Sequence, residues 1–139
     1  MKIHNKTTVK KGKNVCISEN CVLIGDIRLG DSVSIFPGVI MRADISYIEI
    51  GKNSNIQDGT LLHVNVDMPV IVGENTTIGH GVILHGCKVG NNCLIGMGAI
   101  ILDNAVIEDN CIIAAGALVK EGQNVKSGTL SAGLHEINL

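Results

Sequence analysis

The sequence predicts an all-β chain wound into a parallel β-helix, a triangular prism of about six coils. Three observations carry that reading. Aliphatic residues recur every six positions: Ile17, Leu23, Leu29, Ile35 and Met41; Ile50, Ile56 and Leu62; Val72, Ile78 and Leu84; then Val89, Ile95, Ile101, Ile107, Ile113, Val119 and Val125. The residue two before each of these is small or β-branched almost throughout, as at Cys21, Val33, Ser54, Thr60, Thr76, Val82, Cys93, Ala99, Ala105, Cys111 and Ala117. Hydrophobic residues make up 45% of the chain, yet its only aromatics are Phe36 and Tyr47, beside 17 glycines.

Each observation has a physical cause. Side chains alternate across a strand, so two inward residues at this spacing belong to one short strand. Three six-residue sides close one coil of about 18 residues, and repeats of that period mean a stacked solenoid. A narrow core of constant width takes Ile, Val, Leu, Ala and Cys, whereas an ordinary globular core fills space with aromatics. Glycine follows the inward aliphatic at Gly30, Gly51, Gly73, Gly79, Gly90 and Gly96, which predicts corners that need φ > 0. An ordinary β-sandwich would not hold six-residue phase over most of the chain. The phase slips three times, with three extra residues after Met41, four after Leu62 and one fewer after Leu84.

Charge and composition narrow the function. The net charge is −2, and the 11 Lys and Arg are scattered apart from Lys2, Lys6, Lys10, Lys11 and Lys13, which leaves no basic surface for nucleic acid. No apolar run reaches membrane length, and the opening MKIHNKTTVKKGK has no apolar core, so neither a signal peptide nor a membrane span is expected. A single cytoplasmic domain over residues 1–139, with repeats over about 12–130, follows. Cys21, Cys87, Cys93 and Cys111 fall on the small inward position and Cys16 on the outer face. All five are expected to be reduced and structural.

The corner position after the inward aliphatic is not always Gly. At four of these positions it is Arg42, Gln57, His63 and His85. Once the insertions are discounted, Arg42, His63 and His85 stack on one corner of three successive coils, about 4.8 Å apart. Two imidazoles so placed can share a metal ion at about 2.0–2.1 Å from each nitrogen. His80 lies on the preceding corner, with Asp58 one coil below and Met97 one coil above. A prism side of about 15 Å keeps it from its own chain's His63 and His85. A second subunit can supply it, and three-fold closure then makes three equal sites. His4 and His135 fall outside the register and are expected at the surface.

The hexapeptide period resembles that of the left-handed β-helix proteins, and this resemblance implies the left hand. The segments MRADISYIEIGKNSNIQDGTLLHV and IGHGVILHGCKVGNNCLIGMGAIILDNAVI are similar to the γ-class carbonic anhydrases and their bacterial relatives. The motifs are R-x-D, N-x-Q-D, a His shortly after, then G-H-x(4)-H-G-C. The resemblance implies a homotrimer in which His63 and His85 of one subunit and His80 of the next bind Zn2+, with Fe2+ or Co2+ as alternatives. It implies reversible hydration of CO2 to bicarbonate, because a three-histidine site with an open position lowers the pKa of bound water to about 7. Gln57 would orient the nucleophile or CO2, Arg42 and Asp58 would pair across the interface with support from Asp44, and Asn55 would act from behind the ligands.

The chain departs from that family twice. Ile45 stands where well-characterised members carry a proton-shuttling acid, and the short VNVDMP stretch offers only Asp67. The helix that usually packs back along the coils is expected to be short or absent, because SGTLSAGLHEINL follows the repeats directly. Two other functions are compatible with the pattern. One is a metal-binding trimer without hydratase activity, serving in assembly or binding. The other is an acyltransferase of the same fold, using a single catalytic His and no metal.

Overall fold

The computed structural model describes residues 7–133 and 135–138, with the backbone alone at His135 and Glu136; the expectation for the His4 and His135 side chains lies outside the described residues. The chain is a left-handed parallel β-helix with three faces. The first face stacks β2 (Cys16–Ile17), β4 (Ser34–Ile35), β6 (Asn55–Ile56), β9 (Thr77–Ile78), β12 (Leu94–Ile95), β15 (Ile112–Ile113) and β18 (Thr129–Ala132), all parallel.

Two long strands, β3 (Val22–Leu29) and β5 (Ile40–Ile50), bend round a corner and serve both other faces. Above their first halves the second face adds β7 (Leu61–His63), β10 (Ile83–His85), β13 (Ile100–Ile101) and β16 (Leu118–Val119). The third face runs from β1 (Thr8–Lys11) through their second halves to β8 (Val70–Val72), β11 (Lys88–Val89), β14 (Val106–Ile107) and β17 (Asn124–Val125).

The first face holds seven parallel strands, one more than the predicted six coils. The seventh was hidden because the inward residue six places after Val125 is Ser131, buried but polar, so the aliphatic period stops before the coil does. Among the described residues there is no helix; β19 (His135–Asn138) turns back antiparallel on β18 instead. None is therefore long and apolar enough to cross a membrane.

The predicted inward pairs form one continuous core, from Val33 and Ile35 up to Ala117 and Val119. Phase slips fall where the sequence put them. Asp44–Ser46 bulge out of β5, where the pairing with β3 jumps between Gly25 and Asp26, and Asn65–Met68 form a loop closed by two backbone hydrogen bonds of 3.0 Å. All five cysteines are free: Cys87, Cys93 and Cys111 are buried, Cys21 is half-buried and Cys16 is exposed. Burial pushes the Cys87 thiol up to about 12, so it stays protonated. Cys93 and Cys111 continue a column begun by Ser54 and Thr76, whose hydroxyls donate to Gly73 and Gly90 carbonyls; the Cys93 and Cys111 thiols donate likewise to Glu108 and Lys126.

The corner glycines serve a purpose other than positive φ. Gly30, Gly51, Gly73, Gly79, Gly90 and Gly96 do not adopt positive φ. They are needed because adjacent coils touch there: a Cβ on Gly51 would lie 2.5 Å from the Gly73 carbonyl carbon, and one on Gly96 2.4 Å from the Ala115 nitrogen. The left-handed residues between the third and first faces come next and are mostly asparagine, namely Asn14, Ser32, Asn53, Asn75, Asn92 and Asn110. Asparagine tolerates that region better than most side chains, and its amide can bond to the next coil, as Asn53 Nδ2 does to Asn75 Oδ1 at 3.1 Å.

Candidate metal centre

All three phase slips lie on the corner between the second and third faces, and there the chain places His63 and His85. Register pairs Arg42 with His63 and His63 with His85 on successive strands. The His63 and His85 rings stand 4.9 Å apart, edge to face, with His63 Nδ1 3.0 Å from His85 Nε2. His63 Nε2 faces Asp44 Oδ1 at 3.1 Å, and Arg42 donates to Asp44 Oδ2 at 2.6 Å. At the other end His85 Nδ1 lies 2.5 Å from Asp103 Oδ1, while Asn65 Nδ2 donates to Asp103 Oδ2 at 3.0 Å.

Six side chains thus form one line: Arg42, Asp44, His63, His85, Asp103 and Asn65. With both carboxylates ionised, the three contacts made by the two imidazoles require three protons, and hence one positive charge on the pair. Burial opposes ionisation of Asp44, but hydrogen bonds from Arg42 and His63 more than offset it and hold its carboxyl below the usual range. Asp103 is likewise held low against burial, by His85 and Asn65. Burial, with Arg42 nearby, pushes His63 down despite Asp44. His63 is therefore ready to shed the extra proton. Loss of the proton between the rings leaves two lone pairs facing each other at 3.0 Å, an arrangement that a cation relieves.

His80 stands apart on the corner between the first and second faces. It is exposed, and its Nδ1 lies 3.0 Å from Asp58 Oδ2. Backbone bonds from Gly81 to Asp58 and from Gly98 to His80 stack Asp58, His80 and Met97 in three coils, as the spacing predicted. Gln57, half-buried, adjoins Asp58 on this corner. Asn55 sits two residues earlier on β6, its Nδ2 donating to Thr77 Oγ1 at 2.9 Å and its buried Oδ1 without a partner. The predicted residues therefore form two groups at opposite edges of the second face: Arg42, Asp44, His63 and His85 at one, Asn55, Gln57, Asp58 and His80 at the other. Among the described residues of one chain, no three His, Cys, Asp or Glu side chains converge as a metal site.

Sequence reasoning missed Asp103 and Asn65. The phase that stacks Arg42, His63 and His85 continues to Leu102, an aliphatic with no chemistry to signal a site. Asp103, one residue on, reaches His85 because the chain is short at Gly86. The carboxylate singled out in the sequence, Asp67, is exposed at the tip of the Asn65–Met68 loop.

All three histidines now show the same feature, a carboxylate on one ring nitrogen: Asp44 for His63, Asp58 for His80 and Asp103 for His85. One nitrogen of each ring is left to bind a metal, and ligating imidazoles are held in this way. The residues present fit a divalent cation.

Residues 86–121 match the family described as bacterial transferase hexapeptide (six repeats). The crystal structure of a hexapeptide transferase family protein from Anaplasma phagocytophilum is 40% identical, with a TM-score of 0.86, over 94% of this chain and 77% of that one. This chain belongs to the hexapeptide-repeat family. Among curated relatives, protein YrdA of Escherichia coli K12 is 48% identical over 87 residues, which is 58% of this chain and 47% of that protein. A probable carbonic anhydrase of Methanocaldococcus jannaschii is 41% identical over 80 residues, 58% of this chain and 50% of that protein. The chain thus spans about half the length of the curated relatives it matches. More distant structures sharing the fold include N-acyltransferases crystallised with coenzyme A.

Proposed function

We propose that the chain is a homotrimeric, metal-dependent lyase that interconverts CO2 and bicarbonate. Its metal, Zn2+ or in its place Fe2+ or Co2+, is held by His63 and His85 of one subunit and the partner subunit's His80. The observation that carries this reading is the carboxylate behind every one of the three histidines. The relative named as a probable carbonic anhydrase supports the choice of reaction.

The second face supports the assembly. Its outward residues are Val22, Ile40, Leu61, Ile83, Ile100 and Leu118, stacked coil on coil and each 37–45% exposed. The matching column of the third face, Lys10, Arg28, Glu49, Ile71, Lys88, Val106 and Asn124, is largely polar. An aliphatic ladder of that length is surface that a partner covers. It lies between the two histidine corners, so packing three such faces round one axis brings the His80 corner of one subunit to the His63–His85 corner of the next. The ring closes heterologously.

A bound divalent cation supplies Lewis acidity, which makes a coordinated water acidic enough to ionise near neutral pH. The chain's own residues do the rest. Asp44, Asp58 and Asp103 hold the proton on the ring nitrogen away from the ion, and Arg42 keeps Asp44 ionised. The Gln57 amide, on the His80 corner, offers its NH2 as donor to an oxygen of CO2 or bicarbonate and its carbonyl as acceptor to the bicarbonate hydroxyl. The aliphatic ladder excludes water from one side. In the Asp44–Ser46 bulge Asp44 is engaged by Arg42 and His63, and the exposed side chain is Ile45, which carries no proton. Buffer therefore takes the proton, and turnover rises with buffer concentration.

Metal analysis of protein purified without chelators, followed by stopped-flow CO2 hydration, tests the whole reading. A fully metallated, inactive trimer would leave only the metal-binding role. The shared site has its own test: His63→Ala and His80→Ala subunits each lose metal alone, and mixing them restores one intact interface per mixed trimer. Tight binding by either single variant would break the shared-site reading. Kinship with hexapeptide transferases favours a second reading, acyl transfer. Binding of acetyl-CoA by metal-free protein would support it.

A further inference from the structure

We infer that Asp103, held in place by Asn65, is the positioning residue that sets His85 for the metal, fixing its proton on Nδ1 and turning Nε2 toward His63. This rests on the metal reading above and deepens it, adding Asn65 and the turn at Gly86 to the hold on His85. Two contacts meet at the Asp103 carboxylate. Its Oδ1 lies 2.5 Å from His85 Nδ1, so a His85 with any proton on that nitrogen donates it there. Its other oxygen accepts from Asn65 Nδ2 at 3.0 Å, across 38 residues of chain. Asn65 is itself fixed, since its Oδ1 accepts from the Val66 amide at 2.8 Å and its backbone closes the loop with Met68.

Gly86 completes the fitting. It adopts φ 51°, and a Cβ there would lie 2.5 Å from Asp103 Oδ1 and 3.1 Å from the Met68 Cβ. The shortening after Leu84 and the insertion after Leu62 are thus two halves of one device. The shortened turn lets Asp103 reach down to His85, and the inserted loop sends Asn65 up to hold it. An imidazole with one nitrogen committed to a carboxylate loses little freedom when the other binds a cation, and loss of such a partner typically costs 10–100-fold in metal affinity.

The test measures zinc affinity of the full-length protein by competition with a chromophoric chelator, together with the ring 15N shifts of His85 in metal-free protein. Asp103→Ala should bind zinc about 10–100-fold more weakly and lose the Nδ1–H signature. Asp103→Asn keeps an acceptor without the charge and should fall between, rescuing part of both readouts. Asn65→Ala leaves Asp103 in place but loose, and should shift both in the same direction by less. Unchanged zinc affinity in Asp103→Ala would overturn the inference, as would weaker binding with unchanged His85 shifts, which would mark a general structural effect. If wild-type protein bound no zinc, the metal reading would fall, and an Asp103-dependent His85 tautomer would still uphold the positioning role. His63→Ala, which removes a ligand without touching Asp103, separates the two: it should abolish zinc binding and leave the His85 Nδ1 signature in place.

Discussion

From Lys88 to Gly128 the coils repeat at 18 residues without interruption, whereas from Arg42 to Cys87 the chain breaks that period three times at one corner. The regular coils pair β11, β14 and β17, and likewise β12, β15 and β18, in unbroken register. Their version of the histidine corner is Leu102 and then Lys120, which does no comparable work. The contrast has a geometric cause. In a strict solenoid each position stacks on a copy of itself, so every coil offers the same surroundings. A unique site needs surroundings that occur once, and at the His63–His85 corner changes in coil length create them. Asp44 and Asn65 come from insertions, and Asp103 reaches His85 through a shortened turn.

The largest effect should come from repairing the irregularity. Excising Asn65–Met68 returns that coil toward the regular length and removes the hold on Asp103. Zinc affinity should fall on the order of 100-fold while the far-ultraviolet circular dichroism stays that of a β-helix. Wild-type affinity in the shortened protein would show that the irregular corner is not where the metal chemistry resides. The reverse experiment acts on the regular coils. Ile113→Ala empties fully buried volume on β15 and should cost about 2–5 kcal/mol in denaturant unfolding, with zinc affinity of the folded protein unchanged. Coupled loss of both would erase the distinction between scaffold and site.

A milder core change sharpens the comparison. Cys93→Ala keeps the small inward volume but removes the thiol that donates to the Glu108 carbonyl, and should cost about 1 kcal/mol. Because the cysteines are free, reductant should leave the melting temperature of wild type where it was.

The smallest effect is a pH slope confined to the irregular corner. The folded pKa of His63 lies below its unfolded value of about 6.5, so the unfolded chain takes up more protons as pH falls through that value. Stability of the metal-free protein is then lost as pH drops from about 6.5 toward the folded pKa. Asp44 and Asp103, both depressed, contribute stability that is full above about 3.9 and disappears as pH falls through their folded values. Melting temperature against pH should show both limbs, and His63→Gln should flatten the upper one. An unaltered upper limb in that variant would assign the slope to some other group.

The same contrast explains what could be read in advance. Coil, core and inward cysteines were legible because a repeating environment leaves a repeating signature, and Ile95 and Ile113 announce each other. Arg42, His63 and His85 were legible because arithmetic on the period survives an insertion of known length. Asp103 was not, since its reach depends on the path of a turn shortened at Gly86, and path is not a matter of count. The corner glycines misled for a related reason: Gly51 occurs where a positive φ is plausible, but close approach to Gly73 is what demands it. The last coil escaped because Ser131 is polar where the period asks for an aliphatic.

The aliphatic ladder from Val22 to Leu118 is longer than the stretch of coils that carries the histidines. In the proposed trimer each further coil adds one apolar residue per subunit to the shared axis and leaves every ligand where it was. Duplicating or removing a regular 18-residue unit above Asp103 would therefore tune how tightly subunits associate without redesigning the chemistry. Such a chain is modular in the engineer's sense. The coils beyond Asp103 set the affinity between copies, while the reaction depends on the coils from Arg42 to Asp103.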